Sequence, residues 1–137
     1  MSPPILLDTC AAIMIVEARL SKHAEEMLTQ RLERGELVYL SPVTGWELGL
    51  LFSKGRLRSA VTPAEYLRRL TTAPSVRVAE ISPELLMTSS FLPGDLHKDP
   101  ADRIIAATAR EYGYTVMTRD RPLLEYAKQG YLSAVEC

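Results

Sequence analysis

The stretch HKDPADRIIAATAREYGYTVMTRD, residues 97–120, decides how the chain is read. It opens with two aspartates three apart, continues through a largely apolar run to Gly113, and resumes as the short run TVM (115–117) before Asp120. Asp99 suits a helix N-cap, Pro100 the first helical position, and Asp102 the first turn, where a negative charge faces the positive end of the helix dipole. Gly113 supplies the stop. One helix followed by one strand, with acids at both junctions, is the repeating unit of an α/β fold.

Working outward, the same alternation fills the chain. ILL (5–7) reads as a strand, SKHAEEMLTQRLERG (21–35) as a helix capped by Ser21, and ELVYL (36–40) as the next strand. A helix over 44–55 takes Thr44 as its cap and Gly55 as its end, and TPAEYLRRL (62–70) repeats the cap-proline start. VRVAEI (76–81) is a strand and SPELLMTSS (82–90) a short helix, followed by the loop FLPGDLH (91–97). RPLLEYAKQG (121–130) and YLSAV (131–135) complete the chain as a helix and an edge strand. Strands alternating with helices predict a mostly parallel sheet covered on both faces, in a single domain spanning 1–137.

Composition narrows the function classes. The 137 residues are 47% hydrophobic and 24% charged, ordinary for a folded domain, and the net charge of −1 gives no global basic field for nucleic acid. Any nucleic-acid surface must be a local patch. Cys10 and Cys137 have no metal-ligand spacing. The opening MSPPILLDTC reads as neither leader nor membrane segment, so a soluble, cytoplasmic protein with no membrane partner is expected.

The carboxylates that follow a strand, or open the helix after one, carry the chemistry. These are Asp8, Glu47, Asp99, Asp102 and Asp120. Ligands of an open parallel sheet bind beyond the carboxyl ends of its strands, where helix N-termini also point, and all five acids can lie on that edge. Singly, several have structural explanations: Thr44-x-x-Glu47 is a capping box, Asp99 a cap, and TRDRP a turn. Asp8 is harder to explain, because it ends an apolar strand with a charge. Together, crowded carboxylates repel one another and raise their pKa values unless a cation is present. Hard divalent ions prefer oxygen donors, so Mg²⁺ or Mn²⁺ is the expected ion; there is no histidine–cysteine set for zinc.

In chain order, LLDTCA (6–11), SPVTGWELGLLFSKGRL (41–57), DPADRIIAATAR (99–110) and VMTRD (116–120) resemble the PIN-domain ribonucleases, most of all the VapC toxins of bacterial toxin–antitoxin pairs. The resemblance implies a three-layer α/β/α fold and a metal-dependent endoribonuclease. It matches Asp8, Glu47, Asp102 and Asp120 to the family's four acids, Asp99 to a position that assists through a metal-bound water, and Thr9 and Thr118 to small polar positions lining the site. It also implies a VapB-like antitoxin, a homodimer, and products with 5′-phosphate and 3′-hydroxyl ends. On this reading Asp8, Asp102 and Asp120 hold one or two ions, and Glu47 orients a water or a second ion.

Lys54, Arg56, Arg58, Arg68 and Arg69 form a local basic set that suits RNA phosphates, or equally a solvated helix face. Arg103 and Arg119 flank acids and are expected to pair with them; His97 reads as a surface loop residue, and Trp46, Leu50, Leu51 and Phe52 as core or as a partner surface. The competing class is a non-catalytic PIN-fold module that binds RNA or protein. A haloacid-dehalogenase-like enzyme would want an aspartate where Cys10 stands, and a receiver domain would want an acidic pair after the first strand.

Overall fold

Ile5, Leu6 and Leu7 form the first strand, β1 (Ile5–Leu7), and none is more than 2% exposed. An unbroken apolar run is what a strand covered on both faces requires. In the computed structural model, which describes residues 2–137, β1 is the centre of a five-stranded sheet. β2 (Val38–Leu40) and β4 (Thr115–Thr118) flank it, β3 (Val76–Val78) and β5 (Ser133–Glu136) form the edges, and the order is β3-β2-β1-β4-β5. Every pairing is parallel.

The helices are α1 (Thr9–Val16), α2 (Lys22–Glu33), α3 (Pro42–Ser53), α4 (Pro63–Thr71), α5 (Pro83–Thr88), α6 (Pro100–Tyr112) and α7 (Arg121–Lys128), with a 3₁₀ turn at Ser89–Phe91. Side chains alternate across the sheet and divide the helices into two layers. Ile5, Leu7, Val38, Leu40 and Met117 pack with Ala11 and Met14 of α1, Ala24 and Leu28 of α2, and Leu70 of α4. From the other face, Leu6 and Val116 pack with Ile105 and Ala109 of α6. Leu123 and Tyr126 of α7 join that layer through Ala106 and Leu96. The α/β/α sandwich is therefore a direct consequence of the pleat. No helix among the described residues is long and apolar enough to cross a membrane.

In this strand order the chain proceeds outward from β1 to β2 and β3, then returns to the other side of β1 for β4 and β5. The reversal leaves a crevice beyond the carboxyl ends of β1 and β4, the place where open α/β sheets bind ligands. Helix α3 packs against α1, α4 and α6 and so closes one side of that end.

Two local readings are corrected. Helix α3 starts at Pro42, not after Thr44: Ser41 is the cap, and its hydroxyl accepts from the Val43 N–H at 3.1 Å. Thr44 is fully buried inside the helix, so the capping box does not form. Helix α1 is not announced by the sequence at all, because TCAAIMIV has no polar face to give it a helical period. Strands β2 and β3 are also shorter than expected, over 38–40 and 76–78, and β5 runs over 133–136 rather than 131–135.

Candidate active site

Three of the acids that line the crevice, Asp8, Asp102 and Asp120, are brought there by helix starts. Asp8 follows β1 and caps α1, its Oδ1 accepting from the Ala11 N–H at 2.8 Å. Asp120 follows β4 and caps α7, its Oδ2 accepting from the Leu123 N–H at 3.0 Å. Asp99 caps α6, with Oδ1 accepting from the Ala101 N–H at 2.9 Å, which puts Asp102 in the first turn facing inward. Glu47 enters from α3, where its Oε1 accepts from the Thr9 hydroxyl. Asp8, Thr9, Glu47, Asp102 and Asp120 line one cleft of about 450 Å³, with Arg19 and Arg119 on its rim.

Threonines tie the acids together. The Thr118 hydroxyl donates to Asp8 Oδ2 and accepts the Asp120 N–H at 2.9 Å, which fixes the two strand-end aspartates relative to each other. Thr9 Oγ1 lies 3.2 Å from Thr44 Oγ1, the buried hydroxyl that the sequence reading had used as a cap.

Burial and mutual repulsion dominate the electrostatics. Asp102 is pushed up to about 8, first by burial and then by the charges of Asp120, Asp99, Glu47 and Asp8. Burial also raises Asp8, against the hydrogen bonds from Thr118 and Ala11 that lower it. Glu47 is raised by burial and by Asp99 and Asp8, with the Thr9 hydroxyl opposing. Carboxylates forced together this way hold a proton or a cation. Among the described residues, donor atoms of His97, Asp102 and Asp120 come within 4.8 Å of one another, and Asp8 lines the same cleft, an oxygen-rich set of the kind hard divalent ions prefer.

Other candidates fall differently. Lys54 and Arg56 line a small cavity of about 140 Å³ beside Glu47, together with Leu50 and Leu51. Arg58 is exposed. Arg68 and Arg69 are bound to Glu65 of their own helix, at 2.8 Å for Arg68 Nε and 3.1 Å for Arg69 Nε. Trp46 is half exposed and Leu50 is also open to solvent, whereas Phe52 packs edge-on against Tyr66. Arg103 and Arg119 do not pair with the acids beside them: Arg103 donates to the carbonyls of Ser89 and Leu96, each at 2.9 Å, and Arg119 to that of Cys137 at 2.8 Å.

His97 is the residue that sequence reasoning undervalued. Its Nε2 stands 3.1 Å from Asp102 Oδ2 and 3.6 Å from Asp120 Oδ2. Nothing in the local sequence predicts this, because contacts from other elements fold the loop over the cleft.

A central parallel sheet with acids gathered at its β1/β4 switch point defines a class. Residues 5–129 match the PIN domain, and the chain belongs to that family. Over 95 residues it is 34% identical to the ribonuclease VapC22 of Mycobacterium tuberculosis (strain ATCC 25618 / H37Rv), covering 69% of this chain and 72% of that protein. The fold matches VapBC2 from Rickettsia felis bound to a promoter DNA fragment, with TM-score 0.69, 12% identity, and 96% and 97% of the two chains covered. It also matches DNA-bound VapBC from Salmonella typhimurium, with TM-score 0.65, 19% identity, and 99% and 98% covered.

Proposed function

We propose that the chain is a divalent-metal-dependent endoribonuclease, the toxin of a VapBC-type pair, which hydrolyses phosphodiester bonds in RNA. The observation that carries this reading is the convergence of Asp8, Glu47, Asp102 and Asp120 in one cleft, with Asp102 raised to about 8 by burial and by the charges around it. Such a concentration of negative charge opposes folding unless it binds a cation, and RNA hydrolysis is a use for that cation. The 34% identity to a ribonuclease supports the same reading.

Asp8, Asp102 and Asp120 would hold Mg²⁺ or Mn²⁺. When bound, the ion supplies Lewis acidity toward the phosphate and lowers the pKa of water. Glu47, fixed by the Thr9 hydroxyl, is placed to orient the attacking water. Asp99 adds negative charge at the helix start and can assist through a water. Thr118 holds Asp8 and Asp120 at a fixed spacing. Lys54 and Arg56, which line a cavity beside Glu47, would meet RNA phosphates, with Arg58 on the same segment. Arg68 and Arg69, already paired with Glu65, would contribute less.

A VapB-like antitoxin and a second copy of the chain are the proposed protein partners. The VapBC complexes among the structural relatives support the first, and the exposed Trp46 and Leu50 offer an apolar surface for either. The direct test is incubation of purified protein with labelled total RNA under Mg²⁺, Mn²⁺ or chelator, beside Asp8→Asn. Discrete cuts that require both metal and Asp8 are expected. Full cleavage by Asp8→Asn would contradict the assignment, and a folded, antitoxin-free protein that cuts nothing favours the non-catalytic binding module.

A further inference from the structure

We infer that His97 is a nitrogen ligand of the bound ion, sharing it with Asp102 and Asp120, and that this biases the site toward first-row transition ions over Mg²⁺. The inference rests on the metal-dependent reading above and deepens it by naming a donor beyond the carboxylates.

The geometry brings one nitrogen and two carboxylate groups within reach of a single ion. One donor atom from each of His97, Asp102 and Asp120 lies within 4.8 Å of the other two. In an octahedral shell with bonds of about 2.1 Å, neighbouring donors stand about 3 Å apart. The separations from Nε2, 3.1 Å to Asp102 Oδ2 and 3.6 Å to Asp120 Oδ2, fall close to that edge. Nε2 is shielded from solvent, yet it makes no hydrogen bond, although both carboxylates stand close to it. A shielded polar atom without a partner calls for a missing one, and a cation in the gap would satisfy all three residues. The Asp99 N–H donates to Nδ1 at 3.4 Å, a long bond that favours the proton on Nε2, so binding an ion through Nε2 displaces that proton at the expense of one weak contact.

The loop is built to hold the ring there. Leu96 is buried against Ala106 and Leu123. The Tyr126 hydroxyl donates to the Pro93 carbonyl. Gly94 has φ +71°, and a Cβ there would collide with the Tyr131 ring. Arg103, one residue after Asp102, donates to the Leu96 carbonyl at 2.9 Å and so connects the loop to the helix that carries the acid.

Imidazole favours first-row transition ions more than it favours Mg²⁺, so a mixed nitrogen–oxygen set separates the two classes where carboxylates alone do so weakly. The chain has two histidines, His23 and His97, which makes the assignment clean. The test is pulsed EPR of untagged protein loaded with Mn²⁺. Nitrogen modulation from a bound imidazole is expected in the wild type and in His23→Gln, and its loss in His97→Gln. In a calorimetric titration, His97→Gln should weaken Mn²⁺ by about tenfold or more, the scale already reached by groups that only orient a ligand, with a much smaller effect on Mg²⁺. A wild-type protein that binds Mn²⁺ without nitrogen modulation would overturn the inference and leave the nuclease reading standing. A wild-type protein that binds no Mn²⁺ would overturn both.

Discussion

Seven α-helices begin among the described residues, and they are capped in two ways. Helices α2, α3, α4 and α5 start on Ser21, Ser41, Thr62 and Ser82, all neutral hydroxyls. Helices α1, α6 and α7 start on Asp8, Asp99 and Asp120. Both kinds accept a hydrogen bond from a backbone N–H one turn in, and both do that job about equally well. The difference lies in the charge: Asp8 and Asp120 line one cleft at the carboxyl end of the sheet, and Asp99 caps the helix that carries Asp102 into it. Capping alone does not require that charge. On the function proposed above, the neutral caps build the scaffold and the charged caps serve the site.

Asparagine separates the two roles, because it caps as aspartate does but carries no charge. Asp8→Asn and Asp102→Asn should each cut RNA cleavage by about a hundredfold or more, given that groups merely orienting a metal ligand are worth about 10–100-fold. Circular dichroism of both variants should match the wild type. An equally inactive Asp8→Ala that also melts lower would show the cap being lost along with the charge.

The next test strikes the loop over the charged caps. Gly94→Ala combines a left-handed backbone with a clash against Tyr131, and should cost roughly 1–3 kcal/mol in chemical denaturation. It should also weaken metal binding by moving His97. Unchanged stability would mean that the loop is not held as described.

Proton competition gives a graded effect. Asp102 holds its proton up to about pH 8 in the folded chain, against 3.8 for an ordinary aspartate, so metal must displace a proton below pH 8. At subsaturating Mn²⁺, affinity and cleavage should rise with pH by up to about tenfold per unit and level off near 8, and saturating metal should flatten the profile. The same shift makes the metal-free protein less stable as pH rises from about 4 to 8, since the unfolded chain gives up that proton earlier.

The smallest effects belong to the neutral caps. Thr62→Ala or Ser82→Ala should cost about 1 kcal/mol of stability by losing the bonds to Glu65 and Leu85, and leave cleavage unchanged. A loss of activity without a loss of stability would break the division between the two sets.

How much of this could be read from the sequence follows from which interactions are local. The start of α6 was legible because cap, proline and first-turn acid lie within four residues, Asp99 to Asp102. β1 was legible as an apolar run that ends in a charge. The convergence of the acids followed from alternating strands and helices, which put every strand's carboxyl end on one edge. The α3 start was misread although Ser41-Pro42 repeats the cap-proline signal of Thr62-Pro63 and Ser82-Pro83; Thr44 and Glu47 mimic a capping box while Thr44 is buried against Thr9. Helix α1 escaped because an element apolar on nearly every face has no period to read. His97 and Arg103 escaped because their partners come from other elements: the Asp120 carboxylate for one, the Ser89 and Leu96 carbonyls for the other.

The most direct measurement is a thermal melt at pH 8 of wild type and Asp102→Asn, each with and without Mn²⁺. Without metal, the variant should melt a few degrees above the wild type, because one buried charge has been removed from a repelling group. With saturating Mn²⁺, the order should invert, since binding stabilises only the protein that holds the ion. If the wild type melts higher in both conditions, or Mn²⁺ moves the two equally, Asp102 is not part of a metal site and the account is wrong.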